Sequence, residues 1–264
     1  MKPDALPKWK DLPPIEGQPQ GFAWGLFGQD GVKDQLGTLN FLTPEVVLRA
    51  RDEIKIGMSV SLNWGLENLA EPTMGRSTLK HELVDWRRQW DGLRHWGNTH
   101  TGFYYNGLHH NDLIQSNQLG IEKLDEIAKD RGIEFLPGDI LLVRVGWTKW
   151  YDKHDDSDRS KYITNAYVWA GIKGCEETLE WLWDHHFAAI ASDNNGVEVV
   201  PMDDAWRLHD VLLTDWGMPM GEMWDLEDLA KESKKQGRWT FFLTSSPLDL
   251  KGGSASPPNA LAII

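Results

Sequence analysis

The sequence predicts an α/β protein, and three stretches in its second half carry that expectation. LPGDILLVRVGW (136–147) is a turn followed by a nearly continuous apolar run, the pattern of a strand buried on both faces. GIKGCEETLEWLWDHH (171–186) has the apolar spacing of an amphipathic helix. FAAIASDNNGVEVVP (187–201) is a second buried strand that ends in Ser192, Asp193 and Asn194. Strand, helix and strand in that order suit a parallel crossover that delivers polar groups at a strand's carboxyl end.

The remaining elements follow in order. Residues 1–20 carry Pro3, Pro7, Pro13, Pro14 and Pro19 without apolar periodicity, so they read as an extended arm lying on the body or on a neighbouring subunit. GFAWGLFGQDGVKDQLGTLNFL (21–42) is rich in loops. TPEVVLRARDEIKIG (43–57) predicts a helix with Thr43 as N-cap, Pro44 at its first position and Gly57 at its end. MSVSLNW (58–64) alternates as a strand does. A helix is expected over 121–132, ending at Gly132, and a polar surface excursion over 149–163. His209 opens a helix, Glu222 follows a glycine-rich connection, and 237–250 and the final residues are strands. No linker or break in composition divides 21–264, so one domain is expected there.

Composition narrows the function. A formal charge of −13 argues against nucleic acid as partner, because phosphate contacts need clustered Lys and Arg. No apolar run reaches the roughly 18 residues of a membrane helix, and the N-terminus lacks a signal-peptide core, so no membrane partner and a cytoplasmic location are expected. The single cysteine, Cys175, excludes an internal disulfide and a cysteine-rich metal site; in the first turn of a helix it reads as structural rather than as a catalytic thiol. The fifteen tryptophans are scattered, and most are expected in the core or at interfaces.

The densest chemistry lies in DWRRQWDGLRH (85–95), which holds Asp85, Gln89, Asp91 and His95 among arginines and indoles. On an extended strand Gln89 and Asp91 point to the same side, and Gly92 permits a turn that brings His95 after them. That is a donor set for a hard divalent cation. The competing reading is an exposed Arg/Asp face capped by tryptophans. Trp86, Trp90 and Trp96 could line a pocket for a flat substrate. GNTHTGFYYNGLHHND (97–112) reads as a loop beside that cleft; His100 and Tyr104 are its candidate substrate contacts, against the plainer reading of surface and packing residues.

Taken together, DQLGTLNFLTPEVVLRA, LPGDILLVRVGW, AGIKGCEETLEWL, AAIASDNNGVEVVP, HDVLLTDWGMPMGEMWDL and GSASPPNALAII resemble the metal-dependent cyclase-like hydrolases that include bacterial kynurenine formamidase and isatin hydrolase. The resemblance implies a mixed β-sheet curled into a barrel-like core with helices packed outside, and a homodimer or homotetramer. The signature of that family is H-x-G-T-H-x-D-x-P-x-H. By spacing, Asp91 matches its aspartate and His95 its last histidine, while Asp85 and Gln89 stand where the first two histidines would. The family's later histidine and glutamate fall on His209 and Glu222.

The resemblance therefore implies a divalent ion held by Asp91, His209 and Glu222, with Gln89 or Asp85 adding oxygen, and His95 as general acid and base. With two imidazoles replaced by a carboxylate and an amide, the preference moves from zinc towards manganese or magnesium without excluding zinc. The expected activity is hydrolysis of a small cyclic or aromatic amide, ester or lactone. A cyclase or dehydratase of secondary metabolism on the same fold is the alternative, and a binding protein that has lost catalysis is the third. For His209 the competing reading is a helix-start residue satisfied by backbone, for Glu222 a capping carboxylate before WDLEDLA, and Asp193 is read as a structural aspartate in an Asx-turn.

Overall fold

A computed structural model describes residues 6–28, 33–65, 68, 118–155, 159, 169–203, 205–247 and 255–264. In order, these form helix α1 (Pro44–Arg51), strands β1 (Ser59–Ser61) and β2 (Gln118–Leu119), helix α2 (Ile121–Arg131), strand β3 (Ile140–Val143) and helix α3 (Trp147–Lys153). Strand β4 (Gly171–Ile172), helix α4 (Glu176–Asp184) and strand β5 (Ala189–Ser192) come next. A π-helical segment (Asp210–Asp215), strand β6 (Met220–Gly221), helix α5 (Glu227–Gln236), and strands β7 (Phe242–Ser245) and β8 (Ala260–Ile263) complete the chain.

The expected parallel crossover is present. Strand β5 pairs in parallel with β3, Ile140 opposite Ala189 through Val143 opposite Ser192, and β6 adds to its other side. A second sheet is antiparallel, in the order β1, β8, β7, and a third pairs β2 with β4 in parallel. The fold is a mixed α/β arrangement. Among the described residues all three sheets are open: β3 and β6 each pair on one side only, so the barrel-like closure is not seen in them.

The main core lies between the parallel sheet and α4, whose Thr178, Leu179, Leu182 and Trp183 recur on one face and are buried. The proline-rich arm lies on the body of its own chain. Its Trp9 and Leu12 belong to this core, the Trp9 amide donates to Asp184 (2.8 Å), and the Trp183 indole donates to the Pro7 carbonyl (3.0 Å). An extended segment without a periodic face can still bury single large side chains, each contributing about 1.5–3 kcal/mol.

Several expectations are corrected. Thr43 caps α1 and accepts from the Val46 amide, but the helix ends at Arg51, well before Gly57. The backbone of Ile56 and Gly57 is taken instead by the Ile264 carbonyl, so tertiary pairing ends the helix early. Strand β3 is mostly half-buried and not sealed on both faces. The polar excursion begins as helix α3: Trp147 and Tyr151, one turn apart, are buried with Trp64 in a separate aromatic cluster. Gly171 and Ile172 form β4 rather than helix, and Cys175 stands just before α4, half-buried, with its thiol 3.3 Å from the Thr178 hydroxyl.

One backbone crossing admits only glycine. Gly37 has φ +55°, and a Cβ there would lie 2.1 Å from the carbonyl oxygen of Gly217. Both the positive φ and the clash oppose a side chain. Gly37→Ala should therefore cost well over ~1 kcal/mol, read as a lower urea midpoint at unchanged slope; an unchanged midpoint would show that the crossing is not this close.

Candidate metal centre

The carboxyl edge of the parallel sheet collects the polar groups. Past β6 the chain keeps pairing with the end of β5: the Met223 amide donates to the Asn194 carbonyl (2.8 Å) and Trp224 to Ser192 (3.2 Å). This carries Glu222 to the same edge as Ser192, Asp193 and Asn194. The glycine-rich connection before Glu222 is thus not wholly loop, because Met220 and Gly221 are strand. Through Met223 the edge also meets the aromatic cluster of Trp64, Trp147 and Tyr151.

His209 comes from the start of the helical stretch beyond β5. Leu208 and Leu212 anchor that stretch in the core, each fully buried, and the backbone then widens into the π-helical turn over Asp210–Asp215. Such turns recur at functional sites. The imidazole is held from both sides by carboxylates: Nδ1 hydrogen-bonds Glu198, and Nε2 lies 3.1 Å from Glu222 Oε1. The reading of His209 as satisfied by backbone is therefore replaced by a side-chain array. The capping reading of Glu222 is replaced as well, since the Glu227 amide at the start of α5 donates to Asp225 (3.0 Å).

Glu198 had no place among the sequence candidates. It sits beside β4, where Ile172 bridges Glu198 in parallel, and a Cβ on Gly171 would lie 2.3 Å from the Glu198 carbonyl carbon. The missing side chain at 171 lets these backbones approach. Glu198's side chain is 2% exposed, against 17% for Glu222 and 30% for His209, so the array runs from the interior outwards. Besides the imidazole, Glu198 accepts the Leu208 amide at 2.8 Å and the His209 amide at 3.2 Å. A buried carboxylate needs that many donors to offset its lost hydration. The signal for it was the lone acidic residue inside the apolar run VEVV.

The electrostatics follow from these contacts. The hydrogen bond to Glu198, then that to Glu222, hold the His209 imidazolium up to about 9, against burial, which pulls the other way. A cation at the Nε2 position would replace that proton.

Asp193 is structural, though not through a turn of its own. It is fully buried and accepts the amides of Val145 and Gly146, both at 2.7 Å, fastening the turn that leads from β3 into α3. Burial pushes its carboxyl up to about 6 despite those two bonds.

His209 Nε2 and Glu222 Oε1 form an N/O donor pair without sulfur, suited to zinc, manganese or magnesium. Two donors do not complete a shell, and among the described residues no group of three or more His, Cys, Asp or Glu could hold an ion. The other sequence candidates lie outside the described residues: Asp85, Gln89 and Asp91 as ligands, His95 as acid and base, and Trp86, Trp90, Trp96, His100 and Tyr104 as pocket residues.

Residues 77–199 match the family model described as "Putative cyclase". A solved structure described as a novel cyclase resembles the chain with a TM-score of 0.67 at 25% identity, covering 92% of this chain and 99% of the other. The chain resembles the cyclase family in fold and, over that segment, in sequence. Two isatin hydrolases are more distant at 16% identity and a TM-score of 0.49: one bound to the product analogue thioisatinate, covering 84% of this chain and 99% of its own, and isatin hydrolase A from Ralstonia solanacearum, covering 83% and 97%. A search of curated proteins gave no match.

The matched segment contains the whole of Asp85–His95, along with Asp193 and Glu198, and stops before His209 and Glu222. The array on the cyclase-like fold thus joins residues from inside and outside that segment. No described helix is long and apolar enough to cross a membrane.

Proposed function

We propose that this protein is a metal-dependent hydrolase that opens the C–N or C–O acyl bond of a small cyclic or aromatic amide, ester or lactone. The observation that carries the reading is the Glu198–His209–Glu222 array at the carboxyl edge of a parallel sheet, the edge at which open α/β sheets bind ligands. His209 and Glu222 would hold a divalent ion, manganese or zinc, with Asp91 and with Gln89 or Asp85 as further ligands. When bound, such an ion polarises a carbonyl and lowers the pKa of water.

The protein's own groups do the rest. His95 takes the proton of the attacking water and returns it to the leaving nitrogen or oxygen, as a general base and then a general acid. Trp86, Trp90, Trp96, Tyr104 and His100 are the candidate substrate contacts, the indoles being suited to a flat ring. Matching of residues 77–199 to the cyclase family supports assigning these roles within Asp85–His95.

Chelation tests the proposal directly. Complete removal of metal should abolish turnover on a panel of cyclic and aromatic amides, esters and lactones, and added Mn²⁺ or Zn²⁺ should restore it. Turnover untouched by metal removal would sink the reading. Product mass separates it from the cyclase or dehydratase alternative, because hydrolysis adds one water, an isomerising cyclisation leaves the mass unchanged and a dehydration lowers it.

A further inference from the structure

We infer that Glu198 is a positioning residue that selects which imidazole nitrogen of His209 faces the ligand; the inference rests on the metal-centre reading above. A neutral imidazole carries one N–H and one lone pair, and whichever nitrogen is hydrogen-bonded to an acceptor keeps the proton. Both carboxylate oxygens of Glu198 act as acceptors here. Its Oε2 takes the Leu208 amide, and its Oε1 takes both the His209 amide and Nδ1–H. Without an ion, Nε2–H donates to Glu222 Oε1, 3.1 Å away; an ion that displaces this proton would meet the Nε2 lone pair while Nδ1–H stays on Glu198.

Glu198 also fixes the ring's place, not only its tautomer. The two amides it accepts are the first N–H groups of the helical stretch that begins at Leu208, groups that a helix leaves without internal partners. One carboxylate therefore anchors the start of the helix and orients the side chain that projects from it. Because Glu198 is almost wholly buried and has Gly171 pressed against its backbone, the anchor itself has little room to move. Carboxylates behind a metal-bound histidine act in this way, and their loss weakens metal binding by roughly 10–100-fold.

The test is calorimetric titration of Mn²⁺ and of Zn²⁺ into metal-free wild type, Glu198→Gln and His209→Ala, each checked for folding by circular dichroism. Glutamine keeps the size but turns an N–H₂ towards groups that donate. The expected result is tight binding by wild type, a dissociation constant raised roughly 10–100-fold in folded Glu198→Gln, and a larger loss in His209→Ala. Imidazole nitrogen NMR supplies a readout that a merely structural role would not move: His209 should be the Nδ1–H form in metal-loaded wild type, with Nε2 shifted by the ion. Should Glu198→Gln fail to fold, that spectrum decides, and an Nε2–H tautomer in the loaded protein overturns the inference. Glu198→Gln binding as tightly as wild type, while His209→Ala does not, overturns this inference alone. Wild type that takes up neither ion overturns the metal-centre reading and this inference with it.

Discussion

The His209→Ala variant should retain its fold and lose divalent-ion affinity by more than the roughly 100-fold that marks the upper range for loss of an orienting partner. The imidazole is the sole nitrogen donor in the described array, and no other histidine is bonded to Glu198 or Glu222 among the described residues. Some stability should also go, because Glu198 would keep two amide donors and lose its third partner. A buried acceptor that loses one bond costs about 1–3 kcal/mol. Unfolding by urea, with and without Mn²⁺, separates the two effects: added ion raises the wild-type midpoint by mass action and leaves the variant's where it was. Equal stabilisation of both proteins by the ion would remove His209 from the centre.

The second large effect is expected at Asp193. Alanine there leaves the half-buried amides of Val145 and Gly146 without their acceptor, at up to about 1–3 kcal/mol each. Removing a desolvated carboxylate returns part of that, so a net loss near 2 kcal/mol is expected at neutral pH. The pH dependence has a definite sign. With the folded carboxyl at about 6 and the unfolded value at 3.8, the folded state keeps a proton that the unfolded chain gives up between those pH values. Stability from this group is fully present below pH 3.8, falls as pH rises towards 6, and is level above. Two pKa units correspond to at most about 3 kcal/mol. Asp193→Asn should lack this fall, so wild type minus variant, measured by denaturation across the range, should decline with pH. A difference independent of pH would show that Asp193 is ionised throughout.

Periodicity made the scaffold legible. The crossover of β3, α4 and β5, the Thr43 cap and the α2 helix ending at Gly132 are all local patterns, and the structure contains each of them. Legibility failed where a distant partner overrode a local pattern. Residues 52–57 continue a helical composition, yet the Ile264 carbonyl takes the amides of Ile56 and Gly57. KWYDKH reads as a polar excursion, yet Trp64, some eighty residues earlier in the chain, gives Trp147 and Tyr151 something to bury against.

The site divides along the same line. Resemblance to a family selected His209 and Glu222, and the structure joins them. Glu198 stayed hidden because one acidic residue in an apolar strand is as consistent with an exposed edge as with a buried anchor. Its meaning depends on the amides and the imidazole that reach it from Leu208 and His209. Asp193 was legible as structural, but its partners are 47 and 48 residues away, beyond any turn of its own.

By itself, then, the sequence determined the α/β class, the parallel crossover and the kinds of donor available to an ion, because hydrophobic period and residue chemistry are local properties. Only the tertiary structure decided that Glu198, His209 and Glu222 form one array, that Asp193 fastens the turn into α3, and that the arm belongs to the core. Those outcomes depend on burial, which forces each polar group to find a partner wherever in the chain that partner lies.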